Sequence, residues 1–257
     1  MDKLQASYRD VKSLDDPTRS AMYVLFERYY AAVSAAMFEC DLQAKSVAIL
    51  LQDDKGILRG FSTIEVIPFE TESGPGLAIY SGDTIIDHHY WGDQVLAHAW
   101  CYLAGQIKKQ RQDLPLYWFL IVKGHRTYRY LPAFTRHYYP SHREETPAQI
   151  QAIMNTLARG KFADNYRADV GVLHFPQSRG HLRRRWTETS DVLARKPIIA
   201  FFLQRNPGYA DGDELVCLTE LSESNMRFVS RVAFIEGMNS CQDGVIFDLA
   251  SLDNATR

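Results

Sequence analysis

Residues 77–110, LAIYSGDTIIDHHYWGDQVLAHAWCYLAGQIKKQ, decide how this chain is read. Leu77–Asp87 has the apolar and β-branched content of a strand. The polar turn His88–Asp93 (HHYWGD) interrupts it, and Gln94–Lys109 resumes with the apolar spacing of a helix. A strand that runs directly into a helix leaves the first helical N–H groups without intrahelical acceptors, all aimed at one spot. The helix dipole adds partial positive charge there, so the spot suits a phosphate group or a developing oxyanion.

Toward the N-terminus, SVAILL (46–51) and ILRGFSTIEVIP (57–68) flank the turn QDDKG and read as a β-hairpin; TESGPG (71–76) is a second turn. Before them, Met22, Leu25, Phe26, Tyr29, Tyr30, Val33 and Met37 recur at helical spacing, predicting one amphipathic helix over 18–40 with Asp15, Asp16 or Thr18 as its cap. Residues 1–17 read as a polar lead-in. Toward the C-terminus, LYWFLIV (116–122) is a wholly apolar run of the kind found in buried central strands. The Tyr- and Arg-rich HRTYRYLPAFTRHYYP (125–140) reads as short helix, interrupted at Pro132 and stopped by Pro140. Thr146-Pro147 opens a helix expected to run through Leu157 and end near Gly160. PIIAFFLQ (197–204) and ELVCLTEL (214–221) read as a late strand pair, and the chain past Met238 as a polar tail.

Composition narrows the class. The chain has 257 residues, 46% hydrophobic and 23% charged, enough for one good core. A net charge of −2 gives no reason to expect a nucleic-acid partner. Cys40, Cys101, Cys217 and Cys241 form no CxxC pair and signal neither a disulfide framework nor a metal site. No apolar run is long enough for a membrane span, and the N-terminus lacks a signal-peptide core, so the expected location is the cytoplasm.

The order helix, hairpin, long strand breaking into a helix, buried strand, Tyr-bearing segment and late strands resembles the GNAT acyltransferase superfamily. The resemblance covers about residues 18–140, with 197–221 as possible final strands. It implies an α+β fold, an α/β/α sandwich with a mixed, mostly antiparallel sheet flanked by helices. The division expected is a lead-in (1–17), an acyltransferase core (18–140) and a C-terminal extension (141–257), the last holding a helical or irregular stretch (141–196), the strand pair (197–221) and the tail (239–257). The family's pyrophosphate loop, Gln/Arg-x-x-Gly-x-Gly/Ala, corresponds here to His89-Tyr90-Trp91-Gly92-Asp93-Gln94. Gly92 fits, whereas His89, Asp93 and Gln94 depart from the pattern. A loop of this divergent kind is similar to GNAT-like enzymes that take acyl chains from acyl carrier protein, including acyl-homoserine-lactone and N-acyl amino acid synthases.

The resemblance implies transfer of an acyl group from acyl-CoA or acyl-ACP to a primary amine, with no metal. Such a reaction deprotonates the amine, stabilises an oxyanion and protonates the leaving thiolate. Backbone amides near Ile85 and Ile86, or at Tyr90, Trp91, Gly92, Asp93 and Gln94, are candidates for the oxyanion and the donor phosphates. Lys123 and Arg126, in a basic cluster with His125 and Arg129, are further phosphate candidates, or salt-bridge partners of Asp87 or Asp93. On a regular strand Ser81, Asp83, Ile85 and Asp87 share a face, which makes Asp83 the candidate base; Gly82-Asp83 reads alternatively as a bulge. His89 is the other candidate base, or a surface loop residue. The family's acid is commonly a Tyr after the fifth strand, which points to Tyr130 ahead of Tyr128. Arg179, Arg183, Arg184, Arg185 and Arg195 offer a docking surface for an acidic carrier protein, or a solvated basic loop. Trp91, Trp100, Trp118 and Phe119 read as acyl-tunnel lining or as core. The alternative to an enzyme is a catalytically silent module that binds acyl carriers or a partner protein.

Overall fold

The computed structural model describes residues 3–241, so the end of the expected polar tail lies outside the described residues. The chain begins with strand β1 (Gln5–Asp10) and helix α1 (Asp16–Glu27). A two-residue strand β2 (Tyr30–Ala31) precedes α2 (Ala35–Gln43). The antiparallel strands β3 (Val47–Gln52), β4 (Leu58–Thr71) and β5 (Gly74–Ile86) lead to α3 (Val95–Gln110) and β6 (Leu116–Val122). Short helices α4 (His125–Tyr128) and α5 (Tyr130–Phe134) come next, then the long α6 (Ala148–Phe162). The pieces β7 (Tyr166–Arg167), β8 (Val172–Leu173), β9 (His181–Leu182), α7 (Arg184–Thr187) and α8 (Asp191–Ala194) lead to α9 (Pro197–Arg205), β10 (Glu214–Glu220) and α10 (Phe228–Asn239).

One sheet of eight strands, ordered β1-β3-β4-β5-β6-β10-β8-β7, organises these elements. Its pairs are antiparallel except β5–β6. Helices cover both faces, as the α+β sandwich reading requires. On one face α3 and α10 bury Val47, Ile49, Ile64, Leu77, Ile79, Leu116, Trp118 and Leu120. The other face carries two separate apolar clusters. One joins α1 and α2 to Ala48, Leu50, Phe61 and Ile85; the other joins α6 to Ala78, Tyr80, Phe119, Val216 and Leu218. Helix α3 touches α10 backbone to backbone: a Cβ on Gly105 would run into the Phe234 carbonyl, and one on Gly237 into the Tyr102 carbonyl. No helix among the described residues is long and apolar enough to cross a membrane.

Several elements differ from the sequence reading. The lead-in is the edge strand β1, whose Tyr8 hydroxyl donates to Ala99 O at 2.9 Å. The helix expected over 18–40 is two helices. Asp15 does cap the first, accepting from Thr18 N, but Ala32 adopts φ +55° and Ser34 starts a second helix by accepting from Met37 N. The Tyr-rich segment breaks at Arg129, not at Pro132, which sits inside the first turn of α5 where its missing N–H costs nothing. Helix α6 runs past Gly160 to Phe162, ended by Ala163 at φ +46°. PIIAFFLQR is helix α9 rather than a strand: Pro197 takes the first turn and Ile199 and Phe202, three apart, bury one stripe. A short apolar run fits either element, and here packing chose.

Candidate active site

The parallel pair β5–β6 stops before either strand does. Pairing runs from Leu77↔Leu116 to Ser81↔Leu120, after which β5 continues against β4 to Ile86 and β6 continues against β10 to Val122. The two strands therefore diverge at their carboxyl ends, and a wedge opens between them. Crevices at the carboxyl ends of parallel strands are where sheets of this kind commonly hold ligands.

A bulge sets which side chains face the wedge. The β4–β5 register shifts between Ser62↔Thr84 and Ile64↔Ser81. Ser81 consequently faces α3, where its hydroxyl accepts from the indole N–H groups of Trp100 (3.1 Å) and Trp118 (2.9 Å). Ile85 joins the α1–α2 cluster on the opposite face. The expected common face of Ser81, Asp83, Ile85 and Asp87 is thus broken, and the bulge at Gly82-Asp83 is real. Trp100, Trp118 and Phe119 are buried core residues, with Trp118 and Phe119 on opposite faces, so they share no tunnel.

Between the two clusters on the α1–α6 face lies a seam of ionisable groups. Lys45, with a fully buried side chain, pairs with Asp41 at 2.7 Å, Lys161 with Glu65 at 2.6 Å and Lys123 with Glu214 at 3.4 Å. The Tyr80 ring lies between the Lys161 and Lys45 ammonium groups, at 4.5 and 5.3 Å, and the Tyr30 ring lies 5.3 Å from Lys123 Nζ. Asp83, half-buried, has no ion pair or hydrogen bond among the described residues. Burial raises its pKa first, the Asp41 charge adds to it, Lys123 and Lys45 pull back, and Glu214 pushes up again; the result is about 7. Glu214 is raised as well, mainly by burial and against its Lys123 partner. Burial, with the Asp83 and Glu214 charges, raises the Tyr30 phenol far above its ordinary value, so it stays protonated.

Backbone groups complete the wedge. Asp87 N donates to Arg59 O at 2.7 Å, so the ladder's alternation turns the Ile85 backbone toward β4 and the Ile86 backbone toward the side β6 has left. Ile86 O accordingly accepts from the Trp91 indole at 3.0 Å. The Arg126 guanidinium stacks on Trp91 at 4.4 Å, joining the loops after β5 and β6 across the wedge mouth. Strand β9 pairs with β2 over the same region, and Leu182 touches Gly124.

The loop before α3 is organised differently from the sequence expectation. Gly92 takes φ +98°, a conformation that favours glycine. The N–H groups of Tyr90, Trp91 and Asp93 donate to carbonyls of Asp87, His88 and Tyr90, and Val95 N donates to the Asp93 carboxylate at 2.7 Å. Gln94 bonds back to Gly92 O and provides no side-chain cap. Four N–H groups of this loop are thus bonded within it, with the Asp93 carboxylate seated at Val95 N.

His88 and His89 lie together, ring centroids 3.9 Å apart. His89 Nδ1 meets Asp87 Oδ1 at 2.8 Å and His88 Nδ1 lies 3.4 Å from the same oxygen. These three residues bring ligand atoms within 4.8 Å of one another, a spacing a metal ion can use. Asp87 also faces Arg28 (3.6 Å) and Arg59 (3.9 Å), and its hydrogen bonds from His89 hold its pKa below the usual range against burial. His125 is buried, 3.2 Å from Thr189 Oγ1, and burial lowers its pKa.

Tyr128 is fully buried and donates to Pro140 O at 2.7 Å, a structural bond. Tyr130 packs edge-on against Phe134, which belongs to the cluster under α3, and no contact joins it to Asp83. Tyr30 and Tyr80 share the seam with Asp83: burial first, and then the neighbouring carboxylates including Asp83, raise both phenols. Tyr30 was placed by sequence in a helical stripe; only its pairing with β9 brings it to the wedge.

No family model matches the chain, and no curated protein sequence matches it. Solved structures that resemble parts of it include three described as acyltransferases. A probable N-acyltransferase from Enterococcus faecalis aligns at 11% identity and TM-score 0.38, over 52% of this chain and 33% of its own. A GNAT family N-acetyltransferase from Escherichia coli, solved with CoA, aligns at 17% identity and TM-score 0.35, over 51% of this chain and 72% of its own. An acyl-CoA N-acyltransferase from Pseudomonas aeruginosa aligns at 17% identity and TM-score 0.36, over 51% and 88%.

Proposed function

We propose that the chain is an N-acyltransferase that moves an acyl group from an acyl thioester, on CoA or on an acyl carrier protein, to the primary amine of an amino acid, peptide or small natural product. The observation that carries this reading is Asp83: a carboxylate with no ion-pair partner among the described residues and a pKa of about 7, beside a wedge where β5 has lost its sheet partner. A base tuned to neutrality at such a place suits proton abstraction from an ammonium ion.

In this mechanism the thioester lies along the open edge of β5. The acceptor arrives as an ammonium ion and Asp83 takes one proton. The nitrogen lone pair then attacks the thioester carbon, and the charge that develops on the carbonyl oxygen is met by the Ile86 N–H. The C–S bond breaks, and the thiolate leaves as the thiol by taking up the second proton, which the nitrogen gives up as the amide forms. Tyr30 is our candidate to relay that proton, giving its own to the sulfur and taking the nitrogen's, so that the phenol ends protonated as it began. His89, bonded to Asp87 outside the seam, is better placed to hold the loop than to act as base.

Thiol release from a panel of acyl-CoA and acyl-ACP donors, with and without amines, tests the reading. Asp83→Asn should lower kcat/KM by on the order of 10²–10⁴. The wild-type rate should rise with pH and level off above about 7, because the ionised carboxylate is the active form. Undiminished turnover in Asp83→Asn would remove Asp83 from the mechanism. Donor binding without thiol release for any amine would favour the second reading, a silent carrier-binding module, which the self-bonded loop before α3 supports.

A further inference from the structure

Next to the wedge, Arg28, Arg183 and Arg185, with Val24 and Glu27, line a surface cavity of about 600 Å³. Each guanidinium is anchored through one nitrogen. Arg183 Nε donates to Glu27 O at 3.0 Å, Arg185 Nη2 donates to Arg28 O at 3.2 Å, and Arg28 Nη1 lies 3.6 Å from Asp87 Oδ2. A guanidinium carries five N–H donors, so most of each fork remains for another acceptor. The carboxylate supply does not match the cations: Glu27 makes no ion pair with these arginines among the described residues, and Asp87 is shared with His89 and Arg59. Arg185 also stacks on Trp186 (4.8 Å), which packs against Trp91 (5.1 Å) and Tyr29 (5.2 Å), tying the cavity to the wedge mouth.

The α3 N-terminus is the poorer place for an anion: the N–H groups of Tyr90, Trp91, Asp93 and Val95 are already bonded, and the Asp93 carboxylate stands just before the helix. We propose that Arg28, Arg183 and Arg185 form a phosphate-binding site. Planar forks held at different angles around one cavity match the several oxygens of a phosphate ester. On the acyl-thioester reading above, on which this further assignment rests, the phosphate is that of the donor's phosphopantetheine arm.

The test titrates wild-type protein with inorganic pyrophosphate, CoA, and an acyl carrier protein in its holo and apo forms, following tryptophan fluorescence and calorimetry. Pyrophosphate and CoA should bind, and weaken with added salt. Arg183→Gln and Arg185→Gln should each weaken binding by about tenfold to a hundredfold. Because those variants also lose a bond to the end of α1, Val24→Glu is the companion. It lies on the exposed cavity wall and adds a repelling carboxylate while leaving every arginine contact in place. It should weaken anion binding with an unchanged melting curve.

CoA binding equally tight in all three variants would overturn the arginine site while leaving the donor reading intact. Pyrophosphate binding that the variants weaken, with no preference for CoA or for holo over apo carrier, would support the site and remove the donor from it. Preference for CoA, or for the holo carrier, names the source of the phosphate.

Discussion

Replacing Asp83 by Asn should make the protein more stable, and only above acid pH. The carboxyl is raised from 3.8 to about 7. At about 1.4 kcal/mol per pH unit this is a folding penalty of about 4 kcal/mol once the group must ionise. Asp83 is partly open to solvent, so screening brings the expected figure down to about 2 kcal/mol. The sign follows from proton counting. Below about pH 4 the acid is protonated in both folded and unfolded chains and carries no penalty. As pH rises toward 7 the unfolded chain gives up its proton while the folded chain keeps it, so wild-type stability falls across that window. Above about 7 the full penalty is present. Asn is neutral throughout, so urea denaturation of the two proteins should coincide near pH 4 and separate by about 2 kcal/mol near pH 8.5, Asn being the more stable. A difference that does not change with pH, or Asn the less stable at high pH, would refute both the raised pKa and its use as a tuned base. Stability gained at the cost of turnover in one substitution is what a strained catalytic group produces.

Ser81→Ala removes the shared acceptor of two buried indoles and should cost about 2–4 kcal/mol in denaturant titration, with a near-ultraviolet signature from Trp100 and Trp118. Glycine substitutions should split by sign. Gly237→Ala drives a methyl into the Tyr102 carbonyl and should cost about 2 kcal/mol or more, whereas Gly160→Ala, with nothing near its Cβ inside α6, should gain about 0.5–1 kcal/mol. Equal shifts for the two would contradict the α3–α10 contact. Tyr128→Phe leaves the Pro140 carbonyl unpaired and should cost about 1–3 kcal/mol in stability, with turnover per folded molecule unchanged.

Much of the local structure was legible in residues 44–122. The hairpin, the strand–turn–helix and the buried strand each carry a period or a glycine that one segment reads by itself: Gly56 and Gly92 take positive φ at their turns, and LYWFLIV is central because no face of it is polar. Asp83 could be singled out as an acid on the right strand. Its surroundings could not be. They are assembled from Asp41 and Lys45 at the end of α2, Lys123 after β6 and Glu214 at the start of β10, residues joined only through the sheet. The bulge that separates the faces of Ser81 and Asp83 depends on the β4–β5 register, which single-strand alternation cannot see. Tyr30 left its predicted helix because strand β9, far along the chain, pairs with it. PIIAFFLQR became a helix because its burial is a stripe rather than a face. Arg183 and Arg185 gather beside Arg28 at the end of α1 through the backbone carbonyls of Glu27 and Arg28, which no motif records. What the sequence determined by itself were the segments whose periodicity, turns and caps are local. The wedge, the pKa of its carboxylate and the charge beside it were decided by tertiary structure, because desolvation and Coulomb interaction depend on distance in space and not along the chain.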